Sequence, residues 1–309
     1  FEDRTEVTEF ILLEIPHTEG LEAILFVIFL IIYLLTLLGN SLILLAIISS
    51  SHLYTPMYFF LGLLSIFDIF FPSVSCPKML LFLSGNSQTI SYRGCASQLF
   101  FYHFVGCTEG ILYSLMSYDC FVAICHPLWY TVIMNPRLCV ALATCNSLIG
   151  CIHATILTSL TFQLPYCGLN EVDYYFCDIP SVISLACADN SLVQRVSFTN
   201  VGLLTLTFFT IIVSCTHIGI AILSIHSAEG RSKAFSTCSA HLTAIMCAFG
   251  PIIIIYFQYT PKHLLGSVVQ ILNNIVSPML NSFIYSLRNK EVKRALKRVL
   301  CRIELTSEV

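Results

Sequence analysis

Two carboxylic acids lie near the middle of long apolar stretches of this 309-residue chain. Asp68 lies in the apolar run 56–83, and Glu109 lies in the apolar run 98–124. An acid surrounded by hydrocarbon is energetically costly, so it is a functional candidate by default. Two carboxylates with further oxygen ligands suit a hard cation, most simply Na⁺. The alternative, of equal weight, is one proton shared between the two acids, because like charges disfavour each other.

A second group of chemically active side chains recurs at helical spacing within the same run 98–124. Tyr102, His103, Gly106 and Cys107 lie three or four residues apart, so a helix places them on one face. Tyr102 and His103 offer hydrogen-bond donors, and Gly106 leaves room beside them. His103 and Cys107 could bind a soft metal such as copper. The simpler alternative is that these residues satisfy each other within a helical core.

The elements that position these residues follow from composition. Hydrophobic residues make up 56% of the chain and charged residues 11%, whereas soluble domains carry about 25% charged residues. The mean hydropathy is +0.82 and the net charge is −3. This composition excludes a disordered chain, a nucleic-acid-binding protein and an ordinary cytosolic enzyme. It indicates a protein whose solvent is the membrane.

Seven apolar runs are long enough to cross a bilayer, which takes about 20 helical residues. They are 21–48, 56–83, 98–124, 138–160, 196–225, 240–257 and 268–287. Backbone groups in lipid must be hydrogen-bonded within the segment, so helices are expected. The runs are too long for barrel strands. We therefore predict an all-α membrane protein, a seven-transmembrane helix bundle.

The distribution of Lys and Arg predicts the orientation. They concentrate after the seventh run, and the positive-inside rule then puts the C-terminus in the cytosol and the N-terminus outside. We expect an extracellular N-terminal tail at 1–20, a seven-transmembrane domain at 21–287, and a cytoplasmic amphipathic helix and tail at 288–309. Basic residues alternate with apolar ones after Arg288, as in a helix lying on membrane lipids.

Four cysteines fall in segments assigned to the oxidising outside: Cys95, Cys167, Cys177 and Cys187. They predict two disulfides, although spacing alone leaves three connectivities open. The other eleven cysteines fall in spans or on the cytosolic side, where thiols stay reduced.

Short motifs spread along almost the whole chain carry a family resemblance. They are Gly39-Asn40, Leu53-Tyr54-Thr55-Pro56-Met57-Tyr58-Phe59-Phe60-Leu61, Leu64-Ser65 with Asp68, Ser117-Tyr118-Asp119, Val122-Ala123-Ile124-Cys125-His126-Pro127-Leu128, Lys233-Ala234-Phe235-Ser236-Thr237-Cys238-Ser239-Ala240-His241-Leu242 and Pro278-Met279-Leu280-Asn281. Together and in this order they resemble a vertebrate olfactory receptor, a class A rhodopsin-like G-protein-coupled receptor. The opening residues 16–20 suggest the family-10 subgroup.

The resemblance implies a plasma-membrane receptor rather than an enzyme. It would bind a small volatile odorant, couple to the heterotrimeric stimulatory olfactory G protein and raise cyclic AMP. It implies the disulfide Cys95–Cys177, which leaves Cys167–Cys187 as the second pair. It also implies that Asn40, Asp68, Glu109 and Asn281 converge at mid-bundle, where Na⁺ would bind. No resident cofactor is expected otherwise.

In the resembled fold, the ligand pocket lies in the outer half of the bundle, between helices three, five, six and seven. The predicted contacts are Tyr102, His103, Gly106, Cys107, Thr199, Asn200, Leu203, Ile252, Ile253, Tyr256, Asn273 and Asn274. Such a set is mostly apolar with a few orienting polar groups. The alternative is that these residues only pack against each other.

The chain departs from the family where the receptor would couple to its G protein. Cys120 replaces the Arg that follows the helix-three Asp, and a thiol cannot form that bidentate, charged contact. Cys215 replaces a Tyr, and Ser282 replaces a Pro, which should remove a kink. The predicted coupling switch comprises Asp119, Cys120, Cys215, His241, Ser282 and Tyr285. These departures motivate the hypothesis of impaired coupling.

Two other classes remain as alternatives. A small membrane transporter usually shows internal repeats, and none is found here. A membrane enzyme needs convergent nucleophile, base or metal ligands, which only Asp68 and Glu109 approach. No Asn-x-Ser/Thr glycosylation sequon occurs in the chain.

Overall fold

The structure is a computed structural model, and it is mostly helical. It describes residues 7–13, 20–85, 88–168, 170–172, 175–224, 227–228, 231–232, 235, 239, 242–248, 250, 271–288 and 291–298. Most of the predicted sixth span, 240–257, lies outside these residues. Its described part, 242–248 together with residue 250, is helical.

Five long helices form the body of the molecule: α1 (Glu22–Ser49), α2 (Pro56–Leu83), α3 (Tyr92–Cys125), α5 (Pro136–Phe162) and α7 (Ser191–Leu223). Short helices lie between them: a 3₁₀ turn (Ser51–Leu53), α4 (Tyr130–Ile133) and α6 (Ile179–Ile183). A π-helical segment (Leu272–Val276) leads into α8 (Ser277–Arg288), and residues 291–298 are also helical. Among the described residues, α1, α2, α5 and α7 are long and apolar enough to cross a membrane.

The helix starts follow local capping chemistry rather than the edges of the apolar runs. Ser91 caps α3 by accepting a hydrogen bond from the backbone N–H of Gly94, so α3 begins more than a turn before residue 98. The Asn135 side chain accepts from the N–H of Leu138 at 2.9 Å, and Pro136 then occupies the first position of α5.

Helix α3 is the centre of the bundle and contacts α2, α5 and α7, while α1 contacts α2 and α8. Gly150 allows α5 to approach α3 closely, because a Cβ at this position would meet the Thr108 hydroxyl. The Asn146 side chain donates to the backbone oxygen of Thr108 at 3.0 Å across the same contact. Gly39 likewise allows α1 and α8 to approach closely, because a Cβ at this position would meet the Ser282 side chain.

A three-stranded sheet covers one end of the bundle, and the sequence did not predict it. Strand β1 (Glu9–Leu12) pairs antiparallel with β2 (Thr89–Ser91) and parallel with β3 (Glu171–Val172). Phe10 is fully buried beneath it, against Tyr92 and Tyr166. The predicted tail at 1–20 therefore contains a strand that is part of the fold.

Both disulfides lie at this same end. Cys95 is bonded to Cys177, with 5.5 Å between their Cα atoms, and Cys167 is bonded to Cys187, with 5.8 Å. The first joins the start of α3 to the segment before α6, and the second closes the loop between α5 and α7. These are the two pairs that the family resemblance implies. We call this part of the molecule, the sheet with the two disulfides, the disulfide end.

Candidate ligand-binding cavity and polar clusters

A cavity of about 440 Å³ opens among α2, α3, α6 and α7 on the side of the disulfide end. Seven of the predicted ligand contacts line it, from α3, α7 and the π-helical segment: Tyr102, His103, Gly106, Cys107, Asn200, Leu203 and Asn273. Much of the remaining wall is apolar, with Phe71 and Ile111 among its residues. A mostly apolar cavity with a few polar groups is the usual form of a small-molecule site.

Two predicted contacts lie elsewhere, and three cannot be placed. Thr199 is exposed on α7, where its hydroxyl donates to the Val196 carbonyl oxygen at 2.6 Å. It precedes Asn200 by one residue, and a helix turns about 100° per residue, so the two cannot share one face. Asn274 is buried in the π-helical segment and does not line the cavity. Ile252, Ile253 and Tyr256 lie outside the described residues.

Behind the cavity wall, α5 supplies a residue that the sequence did not single out. His153 Nε2 lies 2.7 Å from Asn200 Oδ1, so α5 fixes the orientation of a cavity-lining amide on α7. The His153 ring also faces His103, with 6.4 Å between ring centroids. No sequence signal marks His153, because it lies in a span without charges and pairs with a residue 47 positions away.

Asp178 is a second missed residue, and it lines the cavity from the loop before α6. Its carboxylate accepts from the Ser181 backbone N–H at 3.1 Å and thereby caps α6. Burial raises the pKa of the Asp178 carboxyl above its ordinary value, and the Ser181 hydrogen bonds oppose that rise only in part. One sequence signal was usable: Asp178 follows Cys177, whose disulfide holds this loop against α3.

Asp68 and Asn281 meet in the buried interior below the cavity. The Asn281 Nδ2 lies 3.2 Å from both Asp68 carboxylate oxygens and 2.6 Å from the Tyr113 hydroxyl. Tyr113 is also hydrogen-bonded to Glu109, which lines the cavity. Tyr113 was not predicted, yet it is the residue that connects the two acids.

Asn40 is also buried but has different partners from those expected. Its Nδ2 donates to the backbone oxygens of Thr36 and Pro278, at 3.0 and 3.2 Å, and so ties α1 to α8. Three buried side-chain oxygens in this region have no hydrogen-bond partner among the described residues: Asn40 Oδ1, Ser65 Oγ and Asn281 Oδ1. Unsatisfied buried oxygens of this kind are ligands for a hard cation or for water.

At the far end of α3, Asp119 accepts a hydrogen bond from the Tyr130 hydroxyl at 2.9 Å. Cys120 is buried against Ile218 and Ile222 of α7. Cys215 packs against the main core, and Tyr285 is buried within it. His241 lies outside the described residues. We call the region formed by α4, Asp119 and Cys120 the Asp119 end.

Ser282 lies within α8, which continues as an α-helix through it. Its hydroxyl donates to the Met279 carbonyl oxygen at 2.8 Å. The irregular stretch of this region lies earlier, in the π-helical segment around Asn273. Among the described residues, no group of three or more His, Cys, Asp and Glu side chains is placed to hold a metal ion, and copper binding at His103 and Cys107 stays a prediction.

Comparison with known proteins identifies the family. A family model described as "Olfactory receptor" matches residues 29–303. The chain is 69% identical to Olfactory receptor 10N1 of Mus musculus over 96% of both proteins. It is 68% identical to Putative olfactory receptor 10D4 of Homo sapiens, over 94% of this chain and 98% of that protein. It is 66% identical to Olfactory receptor 10D3 of Homo sapiens, over 96% of this chain and 95% of that protein.

Proposed function

This chain belongs to the olfactory receptor family, as its motifs predicted, and on that premise we propose that it binds small volatile odorants in the cavity beside α3. The observation that carries the proposal is the cavity itself, which is walled mainly by apolar side chains and has a few polar groups. Burial of apolar surface supplies the affinity for such a ligand, and the polar groups orient it.

We propose that the chain crosses the plasma membrane seven times, with the N-terminus outside. The family and the apolar helices together indicate a multi-pass membrane protein. The disulfide end would face the oxidising outside, where disulfides persist. The Asp119 end and the basic segment 288–309 would then face the cytosol, in agreement with the positive-inside rule.

We propose that odorant binding favours a state in which the sixth membrane-spanning helix, the predicted span 240–257, moves outward at its cytosolic end. That state would activate the stimulatory olfactory G protein and raise cyclic AMP. A ligand shifts this equilibrium only by its difference in affinity for the two states. Ala248 of the predicted span 240–257 lines the cavity, so a ligand bound there would contact the helix that moves.

Coupling would be weaker in this chain than in a receptor with Arg at position 120. Cys120 packs against apolar side chains of α7, and Asp119 is held by the neutral hydroxyl of Tyr130. A thiol offers no charged, bidentate contact to a G protein. This arrangement favours impaired coupling as the second form of the proposed function.

We also propose Na⁺ at the buried polar cluster, held by Asp68 and Glu109 with the oxygens of Asn40 and Asn281. The unpartnered Oδ1 atoms of the two Asn residues support this assignment. Na⁺ should then raise the unfolding temperature of the purified protein more than choline does, and Asp68→Asn should abolish the difference. Equal unfolding temperatures in the two salts would favour the shared proton instead.

A cavity-blocking variant tests odorant binding. Gly106 lines the cavity and has open space around its Cα, so Gly106→Val should fit but occlude the ligand. Gly202→Val is the matched control, because Gly202 of α7 also has open space but lies outside the cavity. Odorants should stabilise the unaltered protein and Gly202→Val against thermal unfolding, and Gly106→Val much less. Equal stabilisation of all three would exclude this cavity as the site.

A further inference from the structure

We infer that the cavity selects odorants that carry a neutral oxygen acceptor, such as an aldehyde, ketone or ester, and that Asn200, oriented by His153, recognises that oxygen. This inference rests on the proposed odorant-binding function and specifies its ligand class. It adds a residue on α5, His153, to the determinants of specificity.

The hydrogen bond between His153 and Asn200 fixes which atom of the amide faces the ligand. An amide oxygen only accepts, so the His153 Nε2 must carry the proton and donate to Asn200 Oδ1 at 2.7 Å. With its oxygen engaged by α5, Asn200 has its Nδ2 donors left. Among the described residues Nδ2 has no hydrogen-bond partner, and Asn200 lines the cavity. The cavity therefore offers an oriented N–H donor.

The facing wall carries a second polar group, the His103 ring of α3. Its Nε2 is buried and has no hydrogen-bond partner in the described part of the chain. A buried polar atom without a partner is energetically costly, so a ligand that reaches both residues gains affinity from satisfying it. The His103 ring donates or accepts according to its tautomer, so Asn200 decides the ligand class and His103 adds affinity.

The charges around the cavity argue against ionised ligands. The described lining contains Glu109 and Asp178 but no Lys or Arg, so a carboxylate odorant would find no cation to pair with. The two acids already accept hydrogen bonds, Glu109 from Tyr113 and Asp178 from Ser181, so neither depends on an ammonium ligand. Asn200 offers the ligand an unpartnered donor, and a neutral oxygen matches it.

A series of compounds that share a carbon skeleton and differ in head group tests this inference. The receptor, purified in lipid nanodiscs, is heated with octane, octanal, octanol, octanoic acid or octylamine, and with the corresponding benzyl compounds. A ligand that binds only the folded state raises the unfolding temperature in proportion to its affinity. We expect the aldehyde of at least one skeleton to bind about tenfold more tightly than its hydrocarbon, as one good hydrogen bond implies. The acids should give no shift.

Two pairs of variants assign the recognition to named atoms. Asn200→Asp keeps an acceptor for His153 but removes the N–H donor at constant size, so it should lose the preference for the aldehyde. His153→Phe should lose the preference because the amide can rotate, whereas His153→Gln keeps a donor and should restore it. Thr205→Val is the control, because Thr205 is an exposed α7 residue outside the cavity lining.

The possible outcomes separate this inference from the function on which it rests. If an amine, an acid or the hydrocarbon binds best, the ligand class is wrong while odorant binding stands. An aldehyde preference that survives in Asn200→Asp would show that Asn200 does not recognise the oxygen. If no compound shifts the unfolding temperature of the unaltered protein, the proposed odorant binding itself is contradicted.

Discussion

The disulfide end and the Asp119 end of the bundle are held together by different interactions. At the disulfide end, two covalent bonds, a three-stranded sheet and the buried Phe10 join the loops to the helices. Beneath them, Gln98 accepts from the Cys177 backbone N–H at 2.9 Å and donates to the Val74 oxygen at 3.2 Å. At the Asp119 end, the hydrogen bond from Tyr130 to Asp119, a weak one from the Cys125 thiol to the His217 carbonyl oxygen at 3.8 Å, and apolar packing hold α3 against α4 and α7.

This difference matches what each end would have to do under the proposed function. A selective cavity needs walls held in a fixed geometry, and the covalent links of the disulfide end provide it. A G-protein surface needs an element with two arrangements of similar free energy, so its bonds must be breakable. The Asp119–Tyr130 hydrogen bond is of that kind, and under the proposed function the Cys120 thiol offers no charge that would stabilise the second arrangement.

The largest expected effect comes from removing the disulfide of α3. Replacing Cys95 and Cys177 together with Ala should lower the free energy of unfolding by about 2–5 kcal/mol, since the bond closes a long loop. The two residues are 82 positions apart, against 20 for Cys167 and Cys187. Loss of the Cys167–Cys187 disulfide should therefore lower the free energy of unfolding by about 1 kcal/mol less than loss of Cys95–Cys177. Thermal unfolding and surface staining measure both, and equal losses would contradict the loop argument.

A smaller effect is expected at the Asp119 end. Tyr130→Phe removes the hydrogen bond to a buried carboxylate and should cost about 1–3 kcal/mol in the free energy of unfolding. Tyr118→Phe is the matched control, because Tyr118 is 42% exposed on α3, next to Asp119. If the two variants unfold at the same temperature, the Asp119–Tyr130 bond does not hold this end together.

The smallest expected effects concern the pH dependence of the free energy of unfolding. Two acids close to the disulfides should change it in opposite directions as the pH falls. Burial raises the pKa of Asp178, whereas hydrogen bonds from Ser191 lower the pKa of Asp189, each relative to 3.8. As the pH falls towards 3.8, the folded state takes up a proton at Asp178 before the unfolded state does, so Asp178 favours folding increasingly. As the pH falls below 3.8, protonation of Asp189 removes the stabilisation that its charge provides.

Thermal unfolding across this pH range, compared with Asp178→Asn and Asp189→Asn, isolates the two contributions. Relative to the unaltered protein, Asp178→Asn should lose stability as the pH falls towards 3.8, and Asp189→Asn should gain stability below it. Parallel curves for the two variants would mean that their environments do not differ.

The sequence predicted the long helices well, because about 20 apolar residues in a row have few other solutions. It predicted the disulfide cysteines from their side of the membrane, but their pairing only through the family. The strand at Glu9–Leu12 was missed because its partners, β2 and β3, are about 80 and 160 residues away in the chain. Single-chain periodicity does not report such pairings.

The site residues divide likewise into those that a local sequence pattern predicts and those that depend on partners far away in the chain. The α3 face containing His103 was predicted because helical spacing is a local property. His153, Tyr113 and Asp178 were missed because they matter through partners on other elements. Thr199 does not line the cavity, because it neighbours Asn200 in sequence but not on the helix surface. Asn40 and Asn281 are both buried, but only Asn281 bonds to Asp68, and the choice depends on side-chain geometry.

The most direct test of the central claim, a sound cavity joined to a weakened coupling end, is a cyclic AMP assay in cells that contain the olfactory G protein. It compares the unaltered chain with Cys120→Arg, at equal surface amounts, across one odorant panel. We predict that the same odorants activate both, with a severalfold larger rise in Cys120→Arg. Equally strong responses would show that Cys120 supports full coupling and would contradict the account.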